Sequence, residues 1–486
     1  MYHPTLVRSA MVLSVCGWCA PLLLAAGQPG PDRLPNVLFV YIDDLGFRDT
    51  GFQGANHYRT PRIDGLAAEG MVFENAYSNG PNCAPSRASL MSGQYTPRHG
   101  VFTVGNPARG AAELRRLIPA ANRTELDANV VTLGELFRDA GYRTGYVGKW
   151  HLGKPGVAGP CEQGFAFNAG GNQTGSPAGG YFPPYRNPQL PDPPEDPASG
   201  EYLTERLTRE AGNFLQQADP RPFFLFLAHY AVHTPIQARA SMTRSFEPAA
   251  AEHGFDARYA AMLESVDQSV GTILDQLETL GLSNRTIVIF TSDNGGHGKI
   301  TDNRPLRGSK GMLYEGGIRV PMCVRWPEQI APGTRSAEPV SGVDFFETFR
   351  MMLHADLPAG QPLDGVDLMP LWRGHTQSLE RDAMYWHFPA YLQGRDYPGA
   401  PDNRFRTRPC AAIRCGDWKL LEYFEEGAVE LYHLGQDPGE SINRATDHPG
   451  IAADLAGRLK TWQEQIDAPV PRQPNPQFRE PADRRP

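Results

Sequence analysis

The sequence of 486 residues predicts an α/β protein with a large mixed, mostly parallel sheet sandwiched by helices, and a smaller C-terminal α+β subdomain containing an antiparallel sheet. Short apolar runs of strand length alternate with longer amphipathic runs of helical period. This alternation stops near residue 371, where strand patterns separated by turn residues begin. The large domain is therefore expected over residues 34–370 and the subdomain over residues 371–467.

Four apolar runs are expected to be buried parallel strands, because they have strand length and few polar residues. These runs are 36–42, 143–147, 222–228 and 286–291. Helical periodicity predicts helices at 133–140, 202–218, 257–280 and, in the subdomain, 451–466. Between the subdomain boundary and that last helix, strands are expected at 411–413, 418–424 and 429–434, with tight turns between them.

Both ends of the sequence differ from the rest in composition. Residues 1–27 combine Arg8, an apolar run and small residues before Gln28, which predicts a signal peptide. A membrane anchor is the alternative, but the run is short and interrupted by glycine and proline. The protein is therefore expected to be exported, periplasmic or secreted, with no stable membrane span after signal removal. At the other end, residues 468–486 form a tail rich in proline and arginine. Within the large domain, the glycine- and proline-rich residues 170–197 are expected to form a long surface loop.

Composition and cysteine count narrow the function. A formal net charge of −8 argues against a nucleic-acid partner. Of seven cysteines, two lie in the signal peptide and five remain, an odd number for an oxidising compartment. At least one cysteine is therefore expected not to form a disulfide and to serve another purpose, and Cys83 is the candidate. Cys410 and Cys415 are close enough in sequence to form a local disulfide.

Ionisable and amide side chains follow all four predicted parallel strands. In open parallel sheets, ligands bind beyond the carboxyl ends of the strands. Asp43, Asp44, Asp293 and Asn294 follow the first and fourth strands and offer hard oxygen ligands. Such ligands suit Ca²⁺ or Mg²⁺ better than zinc. Helix or loop capping would explain one Asp-Asp pair alone, but a second acidic pair at another strand end favours a metal site.

The segment around Cys83 combines a thiol, a helix start and a cation. Pro85 suits the first turn of a helix, which continues through 86–91. Cys83 would then lie at a positive helix N-terminus, where an anion is favoured, and Arg87 could reach back to the same group. The alternative is a buried structural cysteine with Arg87 on a solvated face.

A second cationic element follows the strand at 143–147. Lys149 and His151 are two residues apart, so an extended backbone would point both to the same side. A cation and an imidazole that face one anion form a site for a developing negative charge. A surface lysine and a core histidine are the alternative.

The pattern Cys83-x-Pro85-x-Arg87 resembles the signature of the type I sulfatases, which have the alkaline phosphatase superfold. His233-Thr234-Pro235 resembles the His-x-Pro element of that family, and Lys310 matches its second sulfate-binding lysine. The resemblance implies that a separate maturation enzyme oxidises Cys83 to Cα-formylglycine. It also implies metal binding by the four strand-end residues together with the side chain derived from Cys83, and it favours Ca²⁺ over Mg²⁺.

The resemblance further implies a route for sulfate ester hydrolysis. A hydrated formylglycine oxygen, held by Arg87, would attack sulfur and form a covalent sulfo-enzyme. His233, with Lys310, would protonate the leaving alcohol, and Lys149 would bridge nucleophile and sulfate. His151 would then remove the proton of the second hydroxyl, so that sulfate leaves and the aldehyde re-forms.

The substrate is expected to be a sulfated carbohydrate. Trp386 could stack on a sugar ring and His387 could bond hydroxyl groups, although Trp386 could equally fill a domain interface. Arginines 404, 406 and 408 fit a glycan with additional anionic groups. Two other functions stay open: a phosphate or phosphonate ester hydrolase of the same superfold, and a catalytically silent glycan-binding protein that keeps Cys83 unmodified.

Overall fold

The computed structural model describes Met1 and residues 34–192, 200–356, 360–394 and 396–480. The strands are β1 (Asn36–Ile42), β2 (Met71–Phe73), β3 (Ala76–Tyr77), β4 (Arg143–Gly148), β5 (Phe167–Ala169), β6 (Phe223–Ala228), β7 (Thr286–Ser292), β8 (Met322–Arg325), β9 (Thr334–Ser336), β10 (Val340–Ser341), β11 (Met384–Phe388), β12 (Leu392–Gln393), β13 (Phe405–Thr407), β14 (Cys410–Cys415), β15 (Trp418–Tyr423) and β16 (Ala428–His433). The α-helices are α1 (Pro61–Ala68), α2 (Cys83–Ser92), α3 (Thr96–His99), α4 (Leu133–Asp139), α5 (Leu203–Gln216), α6 (Ala240–His253), α7 (Ala257–Thr279), α8 (Glu315–Ile318), α9 (Asp344–Met352), α10 (Met369–Trp372) and α11 (Pro449–Gln465).

One eight-stranded sheet organises the larger part of the molecule, in the order β5-β4-β6-β1-β7-β8-β2-β9. The first five strands of this order are mutually parallel, β8 is antiparallel to both of its neighbours, and β9 is parallel to β2. The sheet is therefore mixed and mostly parallel, as predicted. The four strands predicted from apolar runs are β4, β6, β1 and β7, which lie side by side, so their carboxyl ends meet at one edge of the sheet.

Helices cover both faces of this sheet. In β1, Val37, Phe39 and Tyr41 contribute to one hydrophobic core, and the alternate residues contribute to a second core on the other face. The first core includes α2, α4 and α9, and the second includes α1, α5 and α7. A strand with two buried faces needs apolar residues at every position, which explains the continuous apolar runs.

The C-terminal region contains the predicted antiparallel sheet, in the order β11-β14-β15-β16, and α11 packs against it. The three predicted strands are confirmed, whereas β11 was not predicted. The suggested disulfide is wrong, because both cysteines are free thiols at opposite ends of β14. Six extended residues place their Cα atoms ~17 Å apart, far beyond the reach of a disulfide.

Several predictions concern segments at the margins of this fold. The predicted signal peptide lies outside the described residues except for Met1. Across the described residues, no helix has both the length and the apolar character needed to cross a membrane. The loop after Gly170 is less exposed than predicted, because Tyr181 and Tyr185 are buried. The tail pairs with residues 116–118 through backbone hydrogen bonds of 2.9 Å. The domain boundaries 34–370, 371–467 and 468–486 stay predictions.

Candidate active site

The carboxyl edge of the central strands gathers the ionisable residues that the sequence singled out. Asp43 and Asp44 follow β1, Lys149 follows β4 and Asp293 follows β7 directly. Backbone bonding between neighbouring strands continues one residue beyond the strand ends: the Asp293 amide donates to Ile42 O at 3.0 Å, and the Lys149 amide donates to Ala228 O at 2.8 Å. The side chains are therefore positioned by the rigid sheet rather than by free loops.

Cys83 joins this edge from the neighbouring helix. It is the first residue of α2, after an extended Asn82, and the helix ends at Gly93, whose φ of 68° is left-handed. The Cys83 thiol and carboxylate oxygens of Asp43 and Asp293 all lie within 4.8 Å of one another, and all three residues are buried. The predicted nucleophile precursor, helix start and acids are thus one cluster.

The acids of this cluster fit a hard divalent cation. Asp43 Oδ1 and Asn294 Oδ1 are buried and have no hydrogen-bond partner within the described part of the chain. Asn294 donates through Nδ2 to Asp44 Oδ1 at 2.8 Å, which holds its amide in place. Buried oxygens rarely lack partners, and three carboxylates with one amide oxygen are a donor set for Ca²⁺ or Mg²⁺.

Each carboxylate of the cluster has its own cation. Lys149 Nζ lies 2.6 Å from Asp43 Oδ2, Lys310 Nζ lies 2.7 Å from Asp44 Oδ1, and Arg87 Nε lies 2.8 Å from Asp293 Oδ2. Arg87 also donates through Nη1 to the backbone oxygen of Lys149 at 2.7 Å. Removing one partner of such a buried pair would leave an uncompensated charge, at a cost of about 3–5 kcal/mol.

Burial and charge shift the acids in opposite directions. Burial raises the pKa of Asp43 to about 6, against the opposing effect of Lys149. Burial and the charge of Asp43 likewise raise the pKa of Asp293 to about 6. Burial also acts on Asp44, but Lys310 and His233 outweigh it and hold the pKa of Asp44 well below its usual range. Asp44 is therefore ionised at neutral pH.

Both histidines of the cluster are neutral. Burial, then the charge of Lys149, lowers the pKa of His151 well below its ordinary value. A side chain at Gly175 would clash with the His151 ring, because a Cβ there would lie 2.3 Å from Cε1. Burial, then Lys310, lowers the pKa of His233 to about 3. His233 Nδ1 lies 2.6 Å from the Thr234 carbonyl oxygen, which can only accept, so Nδ1 carries the proton.

The two candidates for substrate contact are in a different environment. Trp386 is 1% exposed, donates through Nε1 to Ser78 O at 2.8 Å and packs edge-on against Tyr77. His387 is 2% exposed and its Nε2 lies 3.3 Å from Pro469 O. The structure places both side chains in interior contacts of β11, which matches the interface alternative for Trp386. Their contact with substrate stays a prediction.

Other charged and aromatic residues near the cluster were missed or left undistinguished. Arg406 stacks over the Tyr397 ring at 3.9 Å, and Tyr397 Oη lies 3.4 Å from His297 Nδ1. Burial, then the charge of nearby Arg406, lowers the pKa of Arg109. Tyr397 and Arg109 lie in loops without periodicity, so nothing in the sequence pattern marked them.

Comparisons with known proteins agree with this geometry. The family model described as Sulfatase matches residues 35–354, and the model described as N-sulphoglucosamine sulphohydrolase, C-terminal, matches residues 308–465. The chain is 32% identical to N-acetylgalactosamine-6-sulfatase of Mus musculus, over 96% of this chain and 91% of that protein. It is 32% identical to steryl-sulfatase of Rattus norvegicus, over 76% and 75%.

A solved structure shows the same architecture. The crystal structure of Ps i-CgsB in complex with k-i-k-neocarrahexaose superposes with a TM-score of 0.74 and 29% identity, over 92% of this chain and 95% of that chain. The family matches cover both the large sheet region and the antiparallel sheet. The chain belongs to the sulfatase family, and it is a sulfatase enzyme that hydrolyses sulfate esters.

Proposed function

We propose that this sulfatase releases inorganic sulfate from sulfated carbohydrates, with Cys83 converted to formylglycine and Ca²⁺ held by Asp43, Asp44, Asp293 and Asn294. The observation that carries the proposal is the placement of Cys83. Its thiol lies at the start of α2 and within 4.8 Å of carboxylate oxygens of Asp43 and Asp293. A cysteine with only a structural role would not need this surrounding of acids, lysines and histidines.

The modified side chain and the cation would supply a nucleophilic oxygen and a positive charge beside it. The chain's own residues do the remaining work. Arg87 is anchored by Asp293 and by the Lys149 backbone, so it can orient the group at Cys83. Lys149 and Lys310 add positive charge next to the acids, where the charge of a transferring sulfuryl group would be compensated. The two-step route through Cys83 predicted from the sequence is part of this proposal.

We assign one proton transfer to each histidine: His151 accepts a proton and His233 donates one. Neutral His151 is ready to accept a proton, which suits the base that the second step requires. His233 is neutral here and faces Asp44, with Nε2 3.8 Å from Oδ2. A bound anion near Nε2 would raise the pKa of His233 and load it with the proton that the leaving alcohol needs. Lys310, whose pKa is raised because Asp44 outweighs burial, is the second donor.

The proposal that the substrate is a carbohydrate is supported by similarity to carbohydrate-related proteins over nearly the full length of the chain. The mouse relative is named an N-acetylgalactosamine-6-sulfatase and the Ps i-CgsB structure holds a neocarrahexaose, and both cover more than 90% of this chain. The match to steryl-sulfatase covers 76% of it. Residues 1–27 have the composition of a signal peptide, so export to the periplasm or the exterior is part of the proposal.

A parallel rate assay tests the reaction class. The protein, co-expressed with a formylglycine-generating enzyme, is given p-nitrophenyl sulfate, bis-p-nitrophenyl phosphate and p-nitrophenyl phenylphosphonate. We expect the sulfate ester to be hydrolysed fastest, and sulfated disaccharides to be turned over more efficiently than estrone sulfate. Faster phosphonate or phosphodiester turnover would contradict the proposed specificity for sulfate esters. Binding of sulfated sugar without any turnover, by protein in which Cys83 stays a thiol despite the co-expressed enzyme, would support the silent binding protein instead.

A further inference from the structure

Three arginines lie close together around β13, and among the described residues two of them have carboxylate partners whereas Arg406 has none. Arg404 and Arg408 lie 3.6 Å and 3.1 Å from Asp402 Oδ2, and Arg408 has two further glutamate partners. Arg406 forms no salt bridge with any residue in the described ranges. Its guanidinium lies over the Tyr397 ring, Nη1 is 3.4 Å from Lys310 O, and its buried Nε has no hydrogen-bond partner there. The charge of Arg406 is thus held beside the cluster without a salt bridge to any described residue, and the attraction of Asp44 offsets its burial only in part.

Arg109, on the adjoining segment, is a second cation without a salt bridge in the described part of the chain. It donates through Nη2 to Val104 O at 2.6 Å and to Thr103 Oγ1 at 3.3 Å, and the described residues offer it no salt bridge. Thr103 Oγ1 also accepts from the Asn82 side chain at 3.0 Å, directly before Cys83. The Arg109 loop is therefore joined to the start of α2.

The loop that contains Arg109 also packs against β13, the strand that contains Arg406. The Tyr391 amide donates to Pro107 O at 2.8 Å, and β12, which follows Tyr391, pairs with β13. A Cβ at Gly110 would lie 2.7 Å from the Phe405 ring, the residue before Arg406. Both arginines thus come from segments fixed to one another. They also lie near the acid cluster, because Lys310, which contacts Asp44, bonds Arg406 through its backbone oxygen.

Two partly buried cations in this position work against folding unless something compensates them. Burial lowers the pKa of Arg406 more than Tyr397 and Asp44 raise it. Burial, then the charge of Arg406, lowers the pKa of Arg109. Burying charge without a partner costs free energy, and like charges repel. The neighbouring Arg404 and Arg408 do form salt bridges with carboxylates, so carboxylates are present close to this strand. A negatively charged ligand is the natural counter-charge for Arg406 and Arg109, which form no salt bridge with the described residues.

We propose that Arg109 and Arg406 bind a second anionic group of the substrate, a sulfate or carboxylate carried beside the sulfate ester that is cleaved. This inference rests on the proposed function and narrows its substrate class to carbohydrates with at least two negative groups. Guanidinium groups suit this role, because their planar donors match the oxygens of sulfate and carboxylate. The second group is bound and not cleaved, so it would affect substrate binding more than the chemical step.

Steady-state kinetics with matched substrates tests this subsite. Disaccharides of one backbone that carry one or two sulfates are compared with p-nitrophenyl sulfate, using the wild type, Arg406→Gln, Arg109→Gln and the control Arg404→Gln. We expect the wild type to prefer the disulfated sugar. Each of the first two variants should raise KM for it by about tenfold, as expected for loss of a charge-assisted hydrogen bond, and leave p-nitrophenyl sulfate turnover and kcat unchanged. Arg406→Lys should recover part of the loss, and Arg404→Gln should match the wild type.

The outcomes separate this inference from the proposed function. Equal losses on mono- and disulfated sugars and on p-nitrophenyl sulfate would mean that the arginines act structurally, which overturns the inference. No preference of the wild type for the disulfated sugar would also overturn it while leaving sulfatase activity intact. Calorimetric binding of the disulfated sugar to Cys83→Ala, with and without Arg406→Gln, measures the subsite without turnover. An unchanged Kd in that comparison would overturn the inference as well.

Discussion

Lys310 Nζ lies 2.7 Å from Asp44 Oδ1 and 2.8 Å from Asp44 Oδ2, although 266 residues separate the two in sequence. The contact keeps both groups charged, because Asp44 raises the pKa of Lys310 against the effect of burial, and Lys310 lowers that of Asp44. A lysine that remains protonated next to the acid cluster can compensate a transferring anion and give a proton to a leaving group.

Replacing Lys310 should therefore reduce both catalysis and stability, because it also leaves the buried carboxylate of Asp44 without its nearest cation. For Lys310→Met we expect kcat/KM for p-nitrophenyl sulfate to fall by about 10²-fold or more, the usual cost of removing one stabilising donor. Lys460→Met, on the exposed face of α11, is the matched control and should behave as the wild type. Thermal unfolding of both variants checks folding. A correctly folded Lys310→Met enzyme with near-normal kcat/KM would contradict the assigned role.

Cys83 should be chemically altered in active protein. We expect the peptide that contains Cys83 to have a mass about 18 Da below that of the thiol form, the difference between thiol and aldehyde. Mass spectrometry of active preparations makes this measurement. Cys83→Ser should abolish multiple turnover while the far-UV spectrum and melting temperature stay close to those of the wild type. Cys323→Ser, at a buried thiol outside the cluster, should keep its activity. An intact thiol in fully active enzyme would refute the conversion.

Calcium binding by Asp43, Asp44, Asp293 and Asn294 should raise the melting temperature, which can be measured without an activity assay. After treatment with EDTA, added Ca²⁺ should raise the melting temperature, because a ligand at 100 times its Kd stabilises the folded state by about 2.7 kcal/mol. We expect Mg²⁺ to have a smaller effect and activity to return with Ca²⁺. Asn294→Ala removes a buried oxygen of the cluster and should weaken the response, whereas Asn129→Ala, on an exposed loop, should not. A melting temperature that ignores both cations would contradict a divalent site.

Buried histidines should make the fold sensitive to acid. His99 accepts from the Val101 amide at Nδ1, so its Nε2 carries a proton and donates to Ser89 Oγ at 3.0 Å. Burial, then the charge of Arg123, lowers the pKa of His99 from 6.5 to about 3. Below pH 6.5 the unfolded chain binds a proton that the folded chain refuses, so the stabilisation present above pH 6.5 is lost as pH falls towards 3.

The measurement compares unfolding of wild type and His99→Gln at pH 7.5 and 5.5. Glutamine keeps one donor and one acceptor but does not titrate. The wild type should lose about 1.4 kcal/mol more than the variant over this interval, the linkage expected for one histidine. His253→Gln, at an exposed position, serves as the control and should show the wild-type pH dependence. An identical pH dependence of His99→Gln and wild type would show that His99 does not contribute.

Much of the central sheet and of the acid cluster was predictable because both depend on local pattern. The four central strands are buried on both faces, and an interior strand can be recognised from continuous apolar residues. Parallel strands share one carboxyl edge, so residues after each strand are brought together wherever the strands lie in sequence. Strand β11 was missed because Trp386 and His387 make their contacts with residues far away in sequence, such as Ser78 and Pro469, and so leave no period along the chain.

Residue type, spacing and a family resemblance were enough to identify the Cys83 motif, the strand-end acids and the two lysines as candidate site residues. Which of the nearby arginines have carboxylate partners became visible only in the folded structure. Arg404, Arg406 and Arg408 stand at every second position in and beside β13 and look equivalent in sequence. Asp402, Glu425 and Glu426 neutralise two of them, and Arg406 remains with Tyr397 and the backbone of Lys310. Charge compensation depends on side chains that meet only after folding, because Coulomb interactions act through space and not along the chain.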